Sequence, residues 1–114
     1  MDASERDTDT ESKRYAILLR DELGRFVERL RELGARKVVL FGSYAAGCQD
    51  LFTDLDLFVV MDSALPFVER TAWLYGQLAP RVACDILVYT PDEWGRMQDR
   101  SFVRDALRKG EVLL

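Results

Sequence analysis

Apolar residues recur at helical spacing early in the chain and form short continuous runs later on. From Tyr15 to Leu33 they fall every three or four residues, which predicts an amphipathic helix over residues 14–34. Three later runs have the length and the β-branched content of buried strands. These runs read KVVLFG, DLDLFVVM and VACDILVYT, and the closing EVLL predicts one more short strand.

The segments between these runs predict further helices. Residues 65–79 form a second main helix that Pro80 ends, Pro91 opens a third, and SFVRDALRKG forms the last. Alternating helices and strands are typical of an α/β (α+β) domain, here with a small mixed sheet of three to four strands and helices packed on it. The helix over residues 65–79 is expected to bury five residues: Phe67, Val68, Trp73, Leu74 and Leu78.

Composition indicates one small domain. Residues 1–13 contain almost no apolar side chains and predict a disordered tail, which leaves residues 14–114 as the domain. The polar and acidic first residues lead us to expect no signal peptide, and no apolar run approaches the roughly 20 residues that cross a membrane. Cys48 and Cys84 lie far apart, so we expect reduced thiols in a cytoplasmic protein. The net charge of −4 argues against direct binding to a nucleic-acid backbone.

The chain contains no histidine. This excludes Ser-His-Asp catalysis, Cys-His nucleophiles and the usual zinc sites. Any catalysis must therefore use carboxylates, hydroxyls, backbone amides, Lys or Arg, and any bound metal must prefer oxygen ligands.

Asp54 and Asp56 stand at the start of an apolar strand. Their spacing puts both on one face, with Cα atoms about 7 Å apart. Two like charges on one face repel, unless a cation lies between them. The pair is therefore either a site for one or two magnesium ions or an ordinary charged strand end facing water.

Two further features lie near this pair in the predicted fold. Gly42 and Ser43 follow the first strand, where a glycine allows a ligand to approach the backbone and Ser43 is placed to cap a short helix. An ordinary strand-to-helix turn is the alternative. Asp85 interrupts a later apolar strand, so it either faces water on an edge strand or joins Asp54 and Asp56, where it would take a proton from an attacking hydroxyl.

Taken together, Gly42-Ser43, Asp54-x-Asp56 and Asp85 resemble the nucleotidyltransferase superfamily with the polymerase-β-type fold. The resemblance covers roughly residues 36–114 and is strongest to the minimal nucleotidyltransferases, which include MntA-like antitoxins paired with HEPN-domain toxins. It implies that Asp54, Asp56 and Asp85 hold Mg²⁺ (two ions) and carry catalysis, and that Gly42 and Ser43 bind the triphosphate of ATP.

The same resemblance implies a reaction and a partner. Relatives transfer AMP from ATP to a hydroxyl, and the partner would be a HEPN toxin with a tyrosine as acceptor, in a homo- or hetero-oligomer. Two alternatives stay open: an antitoxin that neutralises its partner by contact alone, and a small-molecule nucleotidyltransferase. One departure bears on this choice, because Ala46 stands where relatives often carry an arginine near the triphosphate.

Overall fold

The computed structural model describes residues 3–47 and 53–114, with side chains described from residue 10 onward. Five helices and four strands are assigned in these ranges. The helices are α1 (Ala3–Glu32), α2 (Gly42–Ala45), α3 (Phe67–Leu78), α4 (Pro91–Met97) and α5 (Ser101–Lys109), and the strands are β1 (Lys37–Phe41), β2 (Leu55–Val60), β3 (Cys84–Tyr89) and β4 (Glu111–Val112).

The four strands form one mixed sheet in the order β3-β2-β1-β4. Strand β1 runs antiparallel to both β2 and β4, whereas β2 and β3 are parallel. The parallel pair is joined through α3, as a parallel connection requires a crossover. The predicted α/β fold with a small mixed sheet is thus confirmed, including the short strand in EVLL.

Helices cover both faces of the sheet, which explains why β2 is apolar on both sides. On one face, Leu19, Phe26 and Leu30 of α1 pack with Leu74 and Leu78 of α3 against the sheet. On the other face, buried residues of the strands pack with α4 and α5. That second cluster consists of Val39, Phe58, Val60, Trp94 and Val103.

Helix α1 begins at Ala3, although the sequence predicts a disordered tail up to residue 13. Extending an existing helix adds one hydrogen bond for each residue fixed, so a helix formed by its packed part can continue into a polar segment. The division into a tail and a domain over residues 14–114 stays a prediction. No helix in the described ranges is both long and apolar enough to span a membrane.

The predicted inner face of α3 is partly wrong. Leu74 and Leu78 are buried as expected, but Phe67, Val68 and Trp73 are exposed, Val68 to 74%. The third buried position is Arg70, only 4% exposed. Its guanidinium pairs with Glu93 at 2.6 Å and donates to the carbonyls of Val88 and Leu65. Because these partners compensate the buried charge, an arginine can occupy an inward-facing position of α3 where the pattern predicts an apolar residue.

Candidate active site

Strand register brings the predicted carboxylates to one end of the sheet. In the parallel pairing of β2 with β3, Asp56 lies directly opposite Asp85. Asp54 lies immediately before β2, two residues before Asp56. Because side chains alternate along a strand, Asp56 projects to the same face as Phe58, the face that α4 and α5 cover. The sheet therefore places Asp85 of one strand beside the Asp54-Asp56 pair of its neighbour.

Asp85 also satisfies the other reading of the sequence, since β3 is an edge strand and Asp85 is exposed. The two readings are compatible in this fold. An aspartate on the outer strand reaches water on one side and lies opposite Asp56 on the other.

Asp56 has a raised pKa at this end of the sheet. Burial raises its pKa, and the nearby charges of Asp85 and Asp54 raise it further, to about 6. The Asp56 carboxylate therefore lies close enough to those of Asp85 and Asp54 for their charges to act on it. A cation bound here would offset this repulsion and favour the ionised form of Asp56.

Gly42 lies against the Asp56 side chain. Phe41, the last residue of β1, pairs with Asp56 across the antiparallel ladder, so the chain turns into α2 right beside it. Gly42 has a φ of +76°, a conformation that other residues rarely adopt. A Cβ atom there would overlap Oδ2 of Asp56 and lie 3.0 Å from its Cγ. The glycine is thus required by both its backbone conformation and its contact with Asp56.

Ser43 is exposed beside the same turn, but it is not a helix cap. Helix α2 begins at Gly42, so Phe41 occupies the cap position and no side chain caps the helix. The prediction that Ser43 caps this helix is therefore wrong. Its hydroxyl remains free of a capping role, and Ser43 stays a predicted ligand of the triphosphate.

The donor chemistry fits magnesium, since carboxylate oxygens are the ligands that Mg²⁺ prefers. Among the side chains that the structure describes, however, no three of His, Cys, Asp or Glu are arranged to hold a metal ion. The strand pairing places Asp56 opposite Asp85, with Asp54 two residues before Asp56. Metal binding by these three residues stays a prediction.

Cys84 adjoins the site without joining its chemistry. Burial raises the pKa of its thiol to about 11, so it stays protonated at neutral pH and is a poor ligand and nucleophile. Cys84 is a free cysteine in the structure. Cys48 lies outside the described residues.

Two tyrosines contact the backbone next to the carboxylates, and the sequence pattern did not single them out for this. The Tyr15 hydroxyl in α1 donates to the carbonyl of Thr53, at 2.9 Å, one residue before Asp54. The Tyr75 hydroxyl in α3 bonds to the backbone of Cys84 and Ile86, on either side of Asp85. Both tyrosines occupy helix positions that read as packing, and no local signal reveals a polar contact with a strand.

The chain is similar to known proteins in its family and its fold. The family model described as a nucleotidyltransferase domain matches residues 23–112, which is most of the chain. No curated protein matches the chain.

Two solved structures resemble the fold. One, a mutant of the toxin–antitoxin pair MntA–HpeT, is 22% identical with a TM-score of 0.51, and the match covers 80% of this chain and 70% of that one. The other, a toxin–antitoxin structure with AMP-PNP, is 21% identical with a TM-score of 0.48, covering 80% and 71%. Because the family model covers residues 23–112, the range that contains all four strands, the chain belongs to the nucleotidyltransferase domain family.

Proposed function

We propose that this protein is a magnesium-dependent nucleotidyltransferase that transfers AMP from ATP to a hydroxyl of a HEPN-domain toxin, and that it acts as the antitoxin of that pair. The observation that carries the proposal is the register of β2 and β3. It sets Asp85 opposite Asp56, next to the turn at Gly42. Membership of the nucleotidyltransferase domain family supports the reaction class.

The proposed partner is supported by a structural neighbour, by the sequence resemblance and by the exposure of Asp85. The solved structure with a TM-score of 0.51 is described as a toxin–antitoxin complex, and that description belongs to the other protein. The minimal nucleotidyltransferases that this sequence resembles point to the same kind of partner. The structure also suits a protein acceptor, because the Asp85 side chain is exposed and can be reached by a hydroxyl of another protein.

Each carboxylate has a distinct part in this proposal. Asp54 and Asp56 would hold Mg²⁺ together with Asp85, while the turn at Gly42 and Ser43 would contact the triphosphate. Bound magnesium supplies positive charge that polarises the phosphoryl group and stabilises the leaving pyrophosphate. Gly42 and Ser43 are both exposed, so this turn is accessible to a triphosphate.

Asp85 would act as the general base. It accepts the proton of the acceptor hydroxyl as the hydroxyl oxygen forms its bond to the α-phosphorus of ATP. The bond from that phosphorus to the bridging oxygen breaks, and the electron pair leaves with pyrophosphate. The products are the AMP ester of the acceptor, pyrophosphate and one proton held by Asp85. Its exposed position gives an incoming hydroxyl access to the carboxylate.

The test uses the full chain, the product of the neighbouring gene and ATP labelled in its α-phosphate. Label on the partner protein, dependent on magnesium, supports the proposal. Co-expression should also rescue growth from the partner's toxicity, and the Asp54→Asn, Asp56→Asn double variant should rescue poorly. The matched control is Asp99→Asn, at an exposed aspartate after α4, which should behave as wild type.

Other outcomes select the alternatives. Full rescue by the double variant without any label transfer would favour an antitoxin that works by contact alone, consistent with Ala46 in place of an arginine. Label transfer to a small acceptor and not to the partner would favour a small-molecule enzyme. Absence of both label transfer and rescue by wild type would reject the antitoxin function.

A further inference from the structure

Strand β3 has β2 on one side only, so half of its backbone groups point away from the sheet. The hydrogen bonds between β2 and β3 show which half. Leu55 N–H donates to the carbonyl of Ala83, and Met61 N–H donates to that of Tyr89, so odd-numbered residues of β3 face β2. Since backbone groups alternate between the two edges, Cys84, Ile86 and Val88 face the free edge.

Helix α3 supplies partners for this free edge. The Tyr75 hydroxyl donates to the carbonyl of Cys84 at 3.0 Å and accepts from the N–H of Ile86, also at 3.0 Å. Further along, Arg70 donates to the carbonyl of Val88 at 2.9 Å. The Tyr75 hydroxyl therefore bonds to the two backbone groups that flank Asp85, and Arg70, five residues earlier on α3, bonds to the carbonyl of Val88.

The backbone around Asp85 is consequently restrained on two sides. Strand β2 pairs with it on one side, where Asp85 lies opposite Asp56, and Tyr75 holds both of its neighbours on the other side. Edge strands without such cover fray more readily, because their outward hydrogen bonds are made with water. Asp85 itself is exposed, so its place opposite Asp56 depends on the backbone that carries it.

We propose that Tyr75 is the positioning residue of Asp85: its hydroxyl fixes the backbone on both sides of that carboxylate and so holds Asp85 in register with Asp56. The catalytic consequence rests on the proposed function, whereas the restraint on the strand does not. A neutral hydroxyl is suited to this task because it donates and accepts at once. Burial raises the pKa of Tyr75, which keeps the hydroxyl protonated.

Tyr75→Phe is the direct test, since it removes only the hydroxyl and keeps the ring. Tyr89→Phe is the matched control. It makes the same chemical change on β3 itself, four residues beyond Asp85, where the Tyr89 ring packs on Phe58 and Trp94. The two variants should have similar effects on packing, and they differ in whether the lost hydroxyl contacts the backbone beside Asp85.

The first readout is independent of activity. In Tyr75→Phe, the amide of Ile86 should exchange with solvent about tenfold faster or more, because its partly buried hydrogen bond to the hydroxyl is lost. The backbone order parameter of Asp85 should fall as well. In Tyr89→Phe, both quantities should match wild type. Unchanged exchange at Ile86 and unchanged order at Asp85 in Tyr75→Phe would overturn the proposal, whether or not the protein transfers AMP.

The second readout separates positioning from general loss of stability. Measured on folded protein with labelled ATP and the partner, Tyr75→Phe should lower kcat about 10- to 100-fold, as misplaced catalytic groups do. The KM for ATP should change by less than about twofold. In an Asp85→Asn background the same substitution should cause no further loss, because the carboxylate it positions is already absent. An equal loss in both backgrounds would overturn the positioning role.

The two readouts also keep two failures apart. If wild-type protein transfers no label, the proposed function fails. The amide exchange rate of Ile86 and the backbone order parameter of Asp85 still show whether Tyr75 restrains this segment. If wild type is active and Tyr75→Phe retains its full kcat, the proposed function stands and the positioning proposal is rejected.

Discussion

Gly42 and Asp56 are in direct contact: the carboxylate of Asp56 occupies the space that a Cβ atom on Gly42 would need. The contact joins the turn after β1 to the strand that carries two of the three aspartates. It follows from the pairing of Phe41 with Asp56, which places the next residue, Gly42, beside the carboxylate. The predicted nucleotide-binding turn and the predicted metal ligands are thus parts of one local structure.

Gly42→Ala should destabilise the protein and displace Asp56. The positive φ costs a non-glycine residue about 1–2 kcal/mol, and the overlap with Oδ2 adds to this. Urea unfolding measures the loss. Gly24→Ala is the control, since it lies inside α1 with no atom within 4 Å of the added Cβ, and it should stabilise the helix by about 0.5–1 kcal/mol. Equal effects at the two glycines would contradict the close contact.

Removing charge from Asp56 should stabilise the protein in the absence of metal. The Asp56 carboxylate is partly buried and is repelled by the charges of Asp85 and Asp54. Asp56→Asn removes this repulsion and lowers the free-energy cost of burying the side chain. We expect a higher midpoint of urea unfolding at pH 7.5, without added divalent cation. Asp62→Asn, at an exposed aspartate that pairs with Arg36, should give no such gain. A lower midpoint for Asp56→Asn would mean that Asp56 is held by favourable contacts instead.

Magnesium with ATP should stabilise wild type through the same residues. A ligand that binds only the folded state at a concentration a hundredfold above its Kd adds about 2.7 kcal/mol. Thermal unfolding should therefore shift upward for wild type, and far less for Asp54→Asn with Asp56→Asn. ATP with EDTA in place of magnesium controls for binding without metal. Equal upward shifts in both proteins would exclude a metal site at these aspartates.

How far the sequence predicts this structure depends on the range of each interaction. The strands and the Asp54-Asp56 pair can be predicted from local patterns. A run of β-branched residues and the two-residue period of a strand are both visible within a few neighbouring positions. The burial of Arg70 does not, since its partner Glu93 lies 23 residues away on α4. The role of Tyr75 likewise depends on how α3 docks against the edge of β3.

Acid should destabilise the protein through Glu22. This carboxylate is 2% exposed, pairs with Arg25 at 2.7 Å and accepts from the N–H of Arg81 at 2.8 Å. The hydrogen bonds from Arg25 hold its pKa below the ordinary value. A lowered pKa in the folded state contributes stability that is present above the unfolded pKa, about 4.3, and is lost as the pH falls through the folded pKa.

Glu22→Gln tests this contribution. The variant should lose about 1.5–3 kcal/mol at pH 7, the range for hydrogen bonds to a charged group, and its stability should fall less steeply than that of wild type below pH 4.5. Glu28→Gln is the control, because it removes an exposed carboxylate that pairs with Arg31 at the same i,i+3 spacing on α1. Urea unfolding between pH 3 and pH 7 distinguishes them, and parallel curves for wild type and Glu22→Gln would refute the prediction.

Asp85→Asn should separate catalysis from folding and nucleotide binding. The amide is nearly isosteric with the carboxylate, and Asp85 is exposed, so the strand pairing with Asp56 should persist. As the proposed general base, Asp85 contributes a factor of about 10²–10⁴ to the rate, which the amide cannot supply. Transfer of label from ATP to the partner should therefore fall by that order. Nucleotide binding, measured by calorimetry, should be retained with a lower affinity, because Asp85 is also proposed to help hold magnesium. The control is Asp99→Asn, which changes an exposed aspartate away from the sheet. A wild-type rate of transfer by Asp85→Asn would show that the proton goes elsewhere. In that case Asp85 would only raise the pKa of Asp56 through its charge and would have no part in the transfer step.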